Sequence, residues 1–435
     1  MGAEVPSRPV KAILFDLDGT VLDTETLVLE VVRCVAESHG AALTAEAAEL
    51  ALGMRPLDAW AAVAEALGIE RSPQELFDQS EPLLRDRWHE APLLPGVARL
   101  VAHLKAVGVP MALATSTSRA TLGRKLASKA DMREAFAEAC CGDEVVNGKP
   151  APDCFVQLAE RMGLDPADCL VIEDAPTGVV AATAAGMRVV AVPSMLQKGG
   201  KPSAQYPEPA AGAASGCVAL LPSLLEFRPE EYGLPPFQDR IGETIPLHPL
   251  IYIRGTVVKG FGRGSRELGI PTANVDADSL RTALAEAVTG IFCGWCSVGD
   301  SPAVYKTALS IGWNPVYGNT EKTCEPWILH DFGEGADFCG SEIRLVVCAY
   351  IRPEANFTSL QALIDRIHRD AQVAEEALED ERYRQHANDL FLLPQAQQTA
   401  TAPQAADVRQ ADAEPAGAGE EALKQLAQPE QGNPV

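Results

Sequence analysis

Short apolar runs alternate with helical segments through the first half of the chain, and this alternation constrains the fold more than any other feature. The apolar runs cover residues 12–16, 111–115, 169–172 and 189–192. Strands that alternate with helices predict a parallel sheet with helices on both faces. Because parallel strands end at one edge of a sheet, the polar residues that follow them are expected to lie together. We therefore predict an α/β doubly wound parallel sheet for this half.

The segment between the first and second runs is much longer than a single crossover helix. From about residue 24 to residue 92, apolar residues recur at helical spacing, and Leu27, Val31 and Val35 fall on one helical face. No strand pattern interrupts this stretch. An all-helical insertion at about 24–92 is therefore expected.

A different pattern begins near residue 250, where short strand-like runs follow one another with few helices. These runs cover residues 251–258, 290–298, 304–311, 327–329 and 343–351. Such a pattern indicates a small antiparallel β-barrel. A single C-terminal helix is expected from about residue 359 to residue 378.

Shifts in composition divide the chain into four predicted parts. They are a first domain over 11–230, a linker over 231–246, a second domain over 247–380 and a disordered tail over 394–435. The tail is assigned because it is rich in Ala, Gln, Pro and acidic residues and has almost no large apolar side chains.

Charge and cysteine usage exclude several classes of function. The chain carries 60 acidic and 36 basic residues, a net charge of −24, which argues against nucleic acid or an anionic membrane as its main partner. No apolar stretch approaches the roughly 20 residues that cross a bilayer. Cys293 and Cys296 form an isolated C-x-x-C in a strand pattern, which indicates reduced core thiols rather than a zinc site. We expect a soluble, cytoplasmic protein with small-molecule partners.

Polar residues suited to phosphoryl transfer follow the strands of the first domain. They are Asp16 and Asp18 after the first strand, Thr115 and Ser116 after the second, Lys149 in a loop, and Glu173 and Asp174 after a later strand. A carboxylate can attack phosphorus and form an aspartyl phosphate. A second acid can protonate the leaving alkoxide and later deprotonate water. Lysine and Mg²⁺ can offset the phosphate charge.

In this order, D-x-D-G-T, a strand-terminal Thr-Ser, Lys-Pro and Glu-Asp resemble the four motifs of the haloacid dehalogenase superfamily of phosphatases and mutases. The resemblance covers about residues 11–230 and implies that the helical insertion is a cap. It implies that Asp16 is the nucleophile and Asp18 the general acid/base. The implied Mg²⁺ ligands are Asp16, the Asp18 carbonyl and Asp174, with Glu173 in support. The implied phosphate-binding residues are Thr115, Ser116 and Lys149.

The densest run of glycine and basic residues lies at 259–274 and ends in Pro-Thr-Ala-Asn. Glycines let backbone N–H groups approach phosphates closely, and arginine forms planar, multidentate contacts with phosphate oxygens. The run lacks the Gly-Lys-Ser/Thr of a Walker loop. It therefore predicts a phosphate-binding loop of another type.

This run, with the blocks at 254–258, 289–295, 310–315, 325–330 and 352–357, is similar to the riboflavin kinase family. The resemblance spans about residues 247–380. It implies a six-stranded barrel that transfers the γ-phosphoryl group of ATP to the 5′-hydroxyl of riboflavin, with Glu325 as base. The implied ATP-binding residues are Gly260, Arg266, Thr272, Ile328 and His330. The implied flavin-side residues are Arg352, Asn356 and Phe357, and the implied Mg²⁺ ligands are Thr272 and Asn274.

Together the two halves resemble the plant and algal family that joins an FMN phosphatase to a riboflavin kinase. The two reactions are opposites around FMN, so the fused kinase is what favours FMN as the phosphatase substrate. The first domain's own residues specify only a phosphomonoester. Two alternatives stay open for the first domain: hydrolysis of another small phosphate, such as a sugar or glycerol phosphate, or a non-catalytic, flavin-sensing scaffold. A third is that the kinase continues to FAD, but no adenylyltransferase domain is visible in the sequence, so FMN is the expected end product.

Overall fold

The computed structural model describes residues 8–51, 56–193, 206–207, 210, 213–259, 272–284, 288–313, 322–333 and 338–394. Two six-stranded sheets organise these residues, one in each half of the chain. The predicted fold class is confirmed: a doubly wound parallel sheet with a helical insertion is followed by an antiparallel, nearly closed barrel with a C-terminal helix. Most of the predicted tail, from residue 395 onward, lies outside the described residues.

The first sheet is parallel throughout. Its strands are β1 (Ala12–Phe15), β2 (Met111–Ala114), β3 (Glu138–Cys140), β4 (Cys169–Glu173), β5 (Arg188–Ala191) and β6 (Gly216–Leu220). They are ordered β3-β2-β1-β4-β5-β6, so β1 lies between β2 and β4. The carboxyl ends of these three neighbouring strands therefore meet at one edge, as the sequence predicted.

Nine helices are described in this half. They are α1 (Thr24–Ser38), α2 (Ala45–Leu50), α3 (Pro56–Leu67), α4 (Pro73–Arg87), α5 (Val97–Ala106), α6 (Arg119–Lys125), α7 (Ala130–Ala135), α8 (Asp153–Met162) and α9 (Pro176–Ala184). Side chains of α5, α6 and α7 pack on one face of the sheet, and those of α8 and α9 pack on the other. Strand β1 serves both cores, because Ile13 and Phe15 face the first while Ala12 and Leu14 face the second. This explains why its sequence is apolar without alternation.

The insertion formed by α1, α3 and α4 has an apolar core of its own. Val35, Trp60 and Leu76 belong to that core, and the indole nitrogen of Trp60 donates a hydrogen bond to Ser80 Oγ at 3.0 Å. Helix α4 begins with a capping box, in which Ser72 and Glu75 bond each other's backbone N–H groups. The chain then returns to the sheet through a 3₁₀ turn at Trp88–Glu90.

The second sheet is antiparallel and curls into a barrel. Its strands are β7 (Ile245–Val258), β8 (Asn274–Val275), β9 (Gly290–Val298), β10 (Tyr305–Trp313), β11 (Lys322–Ile328) and β12 (Glu342–Arg352), ordered β11-β10-β9-β12-β7-β8. An isolated bridge between Thr272 and Trp327 brings the β8 end against β11. Cys296 lies in the barrel interior and Cys293 in the core on the opposite face, as their spacing predicted.

Three further helices accompany the barrel: α10 (Ala277–Ala283), α11 (Leu360–Ala377) and α12 (Glu381–Arg384). Ser359 caps α11 through its hydroxyl, close to the predicted start of the C-terminal helix. Val373 and Ala377 of α11 pack on the outer face of the barrel. Among the described residues, no helix combines the length and the apolar composition that a membrane crossing requires.

Several sequence predictions of individual elements are wrong. The small-residue run after Asp174 predicts a helix capped by Thr177, but α9 begins at Pro176, so Thr177 already lies in its first turn. The run at 327–329 overlaps only the last two residues of β11, whose residues alternate between buried and partly buried positions. Strand β3 is only three residues long and, like β8, α7 and α10, was not predicted. Short elements carry too few residues for a period to be recognised.

A short 3₁₀ helix, Leu224–Glu226, belongs to both halves of the molecule. Leu224 packs in a core of the first sheet, whereas Leu225 packs in the interior core of the barrel. Burial raises the pKa of the Tyr350 hydroxyl of β12, and the charge of Glu226 adds to the rise. The two halves therefore share apolar contacts at this point, and Glu226 acts electrostatically on the barrel.

The predicted linker is packed against α5. The Arg99 guanidinium donates to both carboxylate oxygens of Asp239 at 2.6 and 2.7 Å and lies 3.5 Å from the centroid of the Phe237 ring. A ring nitrogen of His103 lies 2.7 Å from the Pro235 carbonyl oxygen. The Arg99 side chain is only 5% exposed. The segment 231–246, called the strap below, is therefore fixed to α5 by side-chain contacts.

We expect Arg99→Ala to release this strap. The substitution removes two charge-assisted hydrogen bonds and a ring contact and leaves Asp239 without its cation, at a cost of about 1–2 kcal/mol because that carboxylate is partly exposed. Cleavage within 231–246 by a nonspecific protease should become roughly tenfold faster, since cleavage follows local opening. Arg228→Ala, which removes an exposed pair 3.9 Å long, is the matched control. Equal cleavage rates in the two variants would contradict the prediction.

Candidate active sites

A buried lysine lies at the centre of the charged cluster at the edge of the first sheet. Lys149 Nζ donates hydrogen bonds to Asp16 Oδ1 at 2.6 Å, Glu173 Oε1 at 2.7 Å and the Ala114 carbonyl oxygen at 2.9 Å. These acceptors come from the ends of β1, β4 and β2, which the strand order places side by side. The parallel sheet thus brings together Asp16, Lys149 and Glu173 from positions far apart in sequence.

Asp174 follows directly on β4 and is held on both sides. Thr20 Oγ1 donates to Asp174 Oδ1 at 3.1 Å, and the Tyr206 hydroxyl donates to the Asp174 backbone carbonyl. Gly19 has a φ of +86°, and a Cβ there would lie 2.0 Å from Asp174 Oδ2. The glycine of the D-x-D-G-T motif therefore serves both the turn and the close approach of Asp174.

The side chains of Asp16, Glu173 and Asp174 form a group that can hold a cation. One carboxylate oxygen from each lies within 4.8 Å of the other two. Burial raises the pKa of Asp16 to about 7 against the opposing effect of Lys149, and Glu173 and Asp18 add to the rise. Burial also raises the pKa of Asp174, with further contributions from Glu173 and Asp16. Clustered carboxylates that repel one another in this way fit a divalent cation with oxygen ligands, such as Mg²⁺.

The Asp18 carboxylate points away from that group. Its Oδ1 accepts a hydrogen bond from Lys125 Nζ at 2.6 Å, and its Oδ2 accepts one from Thr117 Oγ1 at 2.9 Å. Lys125 also donates to Thr117 Oγ1 at 2.8 Å. The structure therefore separates the two aspartates of the motif into different surroundings. The expected role of the Asp18 carbonyl toward Mg²⁺ does not involve this carboxylate.

The hydroxyl residues after β2 lie at the same edge. Thr115 is buried, and its Oγ1 accepts a hydrogen bond from the Thr117 backbone N–H at 3.0 Å. Ser116 is exposed. Because Lys149 binds the carbonyl of Ala114, the turn that begins at Thr115 lies next to the charged cluster.

The second candidate site lies where β11 meets the residues before β8. Ala273 donates its backbone N–H to the Pro326 carbonyl, and Thr272 bridges to Trp327, so both residues lie beside Glu325 on β11. Glu325 pairs with Ser310 of β10, and burial raises the pKa of Glu325. The structure thus places Thr272 and Asn274 next to the β11 segment that carries Glu325.

The flavin-side residues of the sequence prediction lie where β12 leads toward α11. Arg352 donates to both carboxylate oxygens of Asp370 and to the Pro353 carbonyl, and its guanidinium carbon lies 5.7 Å from the centroid of the Phe357 ring. These hydrogen bonds use most of the Arg352 guanidinium donors and hold β12 against α11. Asn356 is exposed and Phe357 is partly buried.

The predicted ATP-binding residues fall into two groups. Ile328 is buried in the barrel interior, and the His330 ring packs against Tyr305 and Phe332 with centroids 4.7 Å apart. Gly260 and Arg266 lie outside the described residues. Ile328 therefore has a core position, while His330 belongs to an aromatic cluster at the end of β11.

Comparison with known proteins matches each half of the chain to a family. The haloacid dehalogenase-like hydrolase model matches residues 10–186, and the riboflavin kinase model matches residues 247–378. A "Bifunctional riboflavin kinase/FMN phosphatase" from Arabidopsis thaliana is 42% identical over 380 residues, which is 87% of this chain and 96% of that protein. The chain belongs to the bifunctional riboflavin kinase/FMN phosphatase family.

Other relatives match one half of this family architecture at a time. Riboflavin kinase of Homo sapiens is 47% identical over 132 residues, which is 30% of this chain and 83% of that protein. The Arabidopsis thaliana protein "(DL)-glycerol-3-phosphatase 2" is 33% identical over 236 residues, which is 52% of this chain and 92% of that protein. The bifunctional family thus combines two units that also occur in separate proteins.

Sequence reasoning missed two side chains that contact the motif residues. Lys125 lies 107 positions after Asp18, and Thr117 lies 99 positions after it. Lys125 ends α6 in a segment with other basic residues, so its sequence is typical of an exposed helix end. Its burial against the site depends on where α6 packs, which no local pattern shows.

The raised pKa of Asp16 predicts a pH-dependent stability in the absence of divalent cations. Between the ordinary pKa near 3.8 and about 7, the folded state binds more protons than the unfolded state, so stability falls as pH rises through this range. Asp16→Asn removes this titration. We expect the Tm of the wild type in EDTA to fall more steeply from pH 5.5 to 8.5 than that of Asp16→Asn. Parallel Tm curves would show that Asp16 ionises normally.

The close approach of α9 to Glu173 predicts a second effect. A Cβ at Gly178 would lie 1.6 Å from Glu173 Oε1, and the same carboxylate already binds Lys149 and the Ala175 N–H. Gly178→Ala should displace Glu173 and lower phosphatase kcat/KM by about 10²-fold.

The matched control for Gly178→Ala is Gly123→Ala. Gly123 is also inside a helix, but a Cβ there would meet nothing within 4 Å. This control should keep its phosphatase activity and gain up to about 1 kcal/mol of stability. The prediction is wrong if both variants hydrolyse p-nitrophenyl phosphate at the wild-type rate.

Proposed function

We propose that the protein phosphorylates riboflavin with ATP in its second domain (247–380) and hydrolyses FMN in its first domain (11–230). The observation that carries this proposal is a relative whose name contains both activities and 96% of whose length is covered by the match to this chain. The two charged sites support it, because each contains a carboxylate suited to one of the two reactions.

In the phosphatase reaction, Asp16 would attack the phosphorus of FMN and form an aspartyl phosphate. Asp18 would protonate the leaving riboflavin oxygen and then take a proton from the water that releases phosphate. Lys149, with the hydroxyls of Thr115 and Ser116, would hold the phosphoryl oxygens. Mg²⁺, held by the carboxylates of Asp16 and Asp174 and the Asp18 carbonyl and supported by Glu173, would offset the charge of two anions that must meet.

In the kinase reaction, Glu325 would take the proton of the riboflavin 5′-hydroxyl as that oxygen attacks the γ-phosphorus of ATP. Thr272 and Asn274 offer side-chain oxygens for Mg²⁺ beside Glu325. The proposed nucleotide-side residues are Gly260, Arg266, Thr272, Ile328 and His330. The proposed flavin-side residues are Arg352, Asn356 and Phe357, with Arg352 also fixed to Asp370.

A second substrate is favoured for the phosphatase by one comparison. The relative named as a glycerol-3-phosphatase matches the first half at 33% identity. The charged residues around Lys149 are suited to a phosphate group and do not specify the alcohol that carries it. A panel of FMN, glycerol 3-phosphate and sugar phosphates, assayed on the full chain, separates the two substrates. Higher kcat/KM for glycerol 3-phosphate than for FMN would overturn the assignment of FMN.

A cytoplasmic location is part of the proposal. Buried thiols such as Cys140, Cys141 and Cys293 form no disulfide in the structure. This agrees with the reducing conditions of that compartment.

Two substitutions should separate the opposed activities in the full chain. Asp16→Asn removes the attacking carboxylate and should lower FMN hydrolysis by at least about 10³-fold while FMN formation from riboflavin and ATP stays near the wild-type rate. Glu325→Gln should lower FMN formation by about 10²-fold or more and leave hydrolysis intact. Each variant is thus the folding control for the other. Loss of both activities in either variant, or of neither, contradicts this division.

A further inference from the structure

The environment of Lys125 is unusual for the last residue of a short helix. Its side chain is 4% exposed, whereas its partner Asp18 is 32% exposed. Nζ lies 2.6 Å from Asp18 Oδ1, 2.8 Å from Thr117 Oγ1 and 4.4 Å from the centroid of the Trp88 ring. Removing an ammonium group from water costs free energy, which only well-placed partners offset. The carboxylate, the hydroxyl and the aromatic ring are such partners, and together they hold Lys125 Nζ in one position.

Both oxygens of Asp18 are used by this arrangement. Oδ1 accepts from Lys125 and Oδ2 accepts from Thr117, while Lys125 also donates to the Thr117 hydroxyl. The three polar groups form a closed triangle, which fixes both the position and the rotation of the carboxylate plane. A proton donor and acceptor needs such fixed geometry toward the oxygen it serves.

On the side away from Asp18, Lys125 contacts the segment by which the chain returns from the helical insertion to the sheet. Trp88 lies in the 3₁₀ turn that follows α4, and its ring covers Nζ. The next residue, His89, is also held, because its carbonyl accepts from Lys129 Nζ at 2.8 Å and from Ser128 Oγ at 2.7 Å. Lys125 thus lies between Asp18 and the base of the insertion.

We propose that Lys125 is a positioning residue that aims the Asp18 carboxylate at the leaving oxygen and at the hydrolytic water. The proposal rests on the proposed phosphatase function. In the first step an Asp16 oxygen bonds to phosphorus as the bond between phosphorus and the riboflavin oxygen breaks, and the Asp18 proton passes to that riboflavin oxygen. In the second step water gives a proton to Asp18, and the water oxygen attacks phosphorus. The bond between phosphorus and Asp16 breaks, which releases phosphate and the free Asp16 carboxylate.

The test compares two substrates on Lys125→Met in the full chain. FMN has an alkoxide leaving group that needs a proton, whereas the nitrophenolate of p-nitrophenyl phosphate does not. We expect kcat for FMN to fall by about 10²-fold with KM changed less than threefold. With p-nitrophenyl phosphate, a burst of nitrophenol should remain while steady turnover falls. Phosphoenzyme should then accumulate, since the second step still needs Asp18.

Three companion variants separate positioning from a general structural defect. Lys125→Arg keeps the charge and should recover part of the lost rate, and Thr117→Val should give the same signature in milder form. Lys129→Met is the matched control, because it removes a lysine on the adjoining turn that bonds the insertion but not Asp18. Riboflavin kinase activity of each variant reports that the chain is folded. Should Lys125→Met not fold, Thr117→Val and Lys125→Arg carry the test.

The outcomes distinguish this proposal from the proposed function. If the wild type cleaves p-nitrophenyl phosphate but not FMN, the FMN assignment fails, and the burst and phosphoenzyme measurements still decide the role of Lys125. If Asp16→Asn retains turnover of both substrates, the aspartyl-phosphate chemistry and the role of Lys125 both fail. If Lys125→Met matches Lys129→Met, or raises KM without lowering kcat, Lys125 does not position Asp18.

Discussion

The first site depends on one buried cation held between carboxylates. Lys149 neutralises part of the charge of Asp16 and Glu173, yet a third carboxylate, Asp174, lies within the same 4.8 Å group. Two like charges this close inside a protein repel each other by several kcal/mol at an effective dielectric constant of about 20. One lysine is therefore not enough: burial, with the charges of Glu173 and Asp18 added to it, keeps the pKa of Asp16 raised although Lys149 binds this carboxylate directly. This remaining repulsion is what a divalent cation would relieve.

The two halves bring residues that are distant in sequence to one site by different geometries. In the parallel sheet, neighbouring strands point in one direction, so side chains from β1, β2 and β4 meet at their common edge. In the barrel, by contrast, Glu325 lies along a strand and not at its end. The chain before β8 reaches it by pairing with β11 at Thr272. The first site is built by strand order and the second by strand register.

Much of the fold, and the meeting of Asp16, Lys149 and Glu173 at one sheet edge, could be predicted from the sequence. The apolar runs of β1, β2, β4 and β5 and the motif around Asp16 are local patterns, and local patterns are what a single sequence displays. Lys125 could not be found in this way, because it contacts Asp18 only through the packing of α6. The sequence also does not show whether the Arg352 side chain points into the barrel or out of it. Its ion pair with Asp370 depends on how α11 lies against β12.

The packing of Leu225 has a consequence for how the two halves can be separated. By sequence Leu225 belongs to the first half, but by packing it belongs to the interior of the barrel. A cut placed after the first half would carry away a piece of the second half's core and expose an apolar side chain on the fragment. No single peptide bond between residues 224 and 245 separates two complete cores. The halves of this protein are better compared by inactivating one site at a time than by dividing the chain.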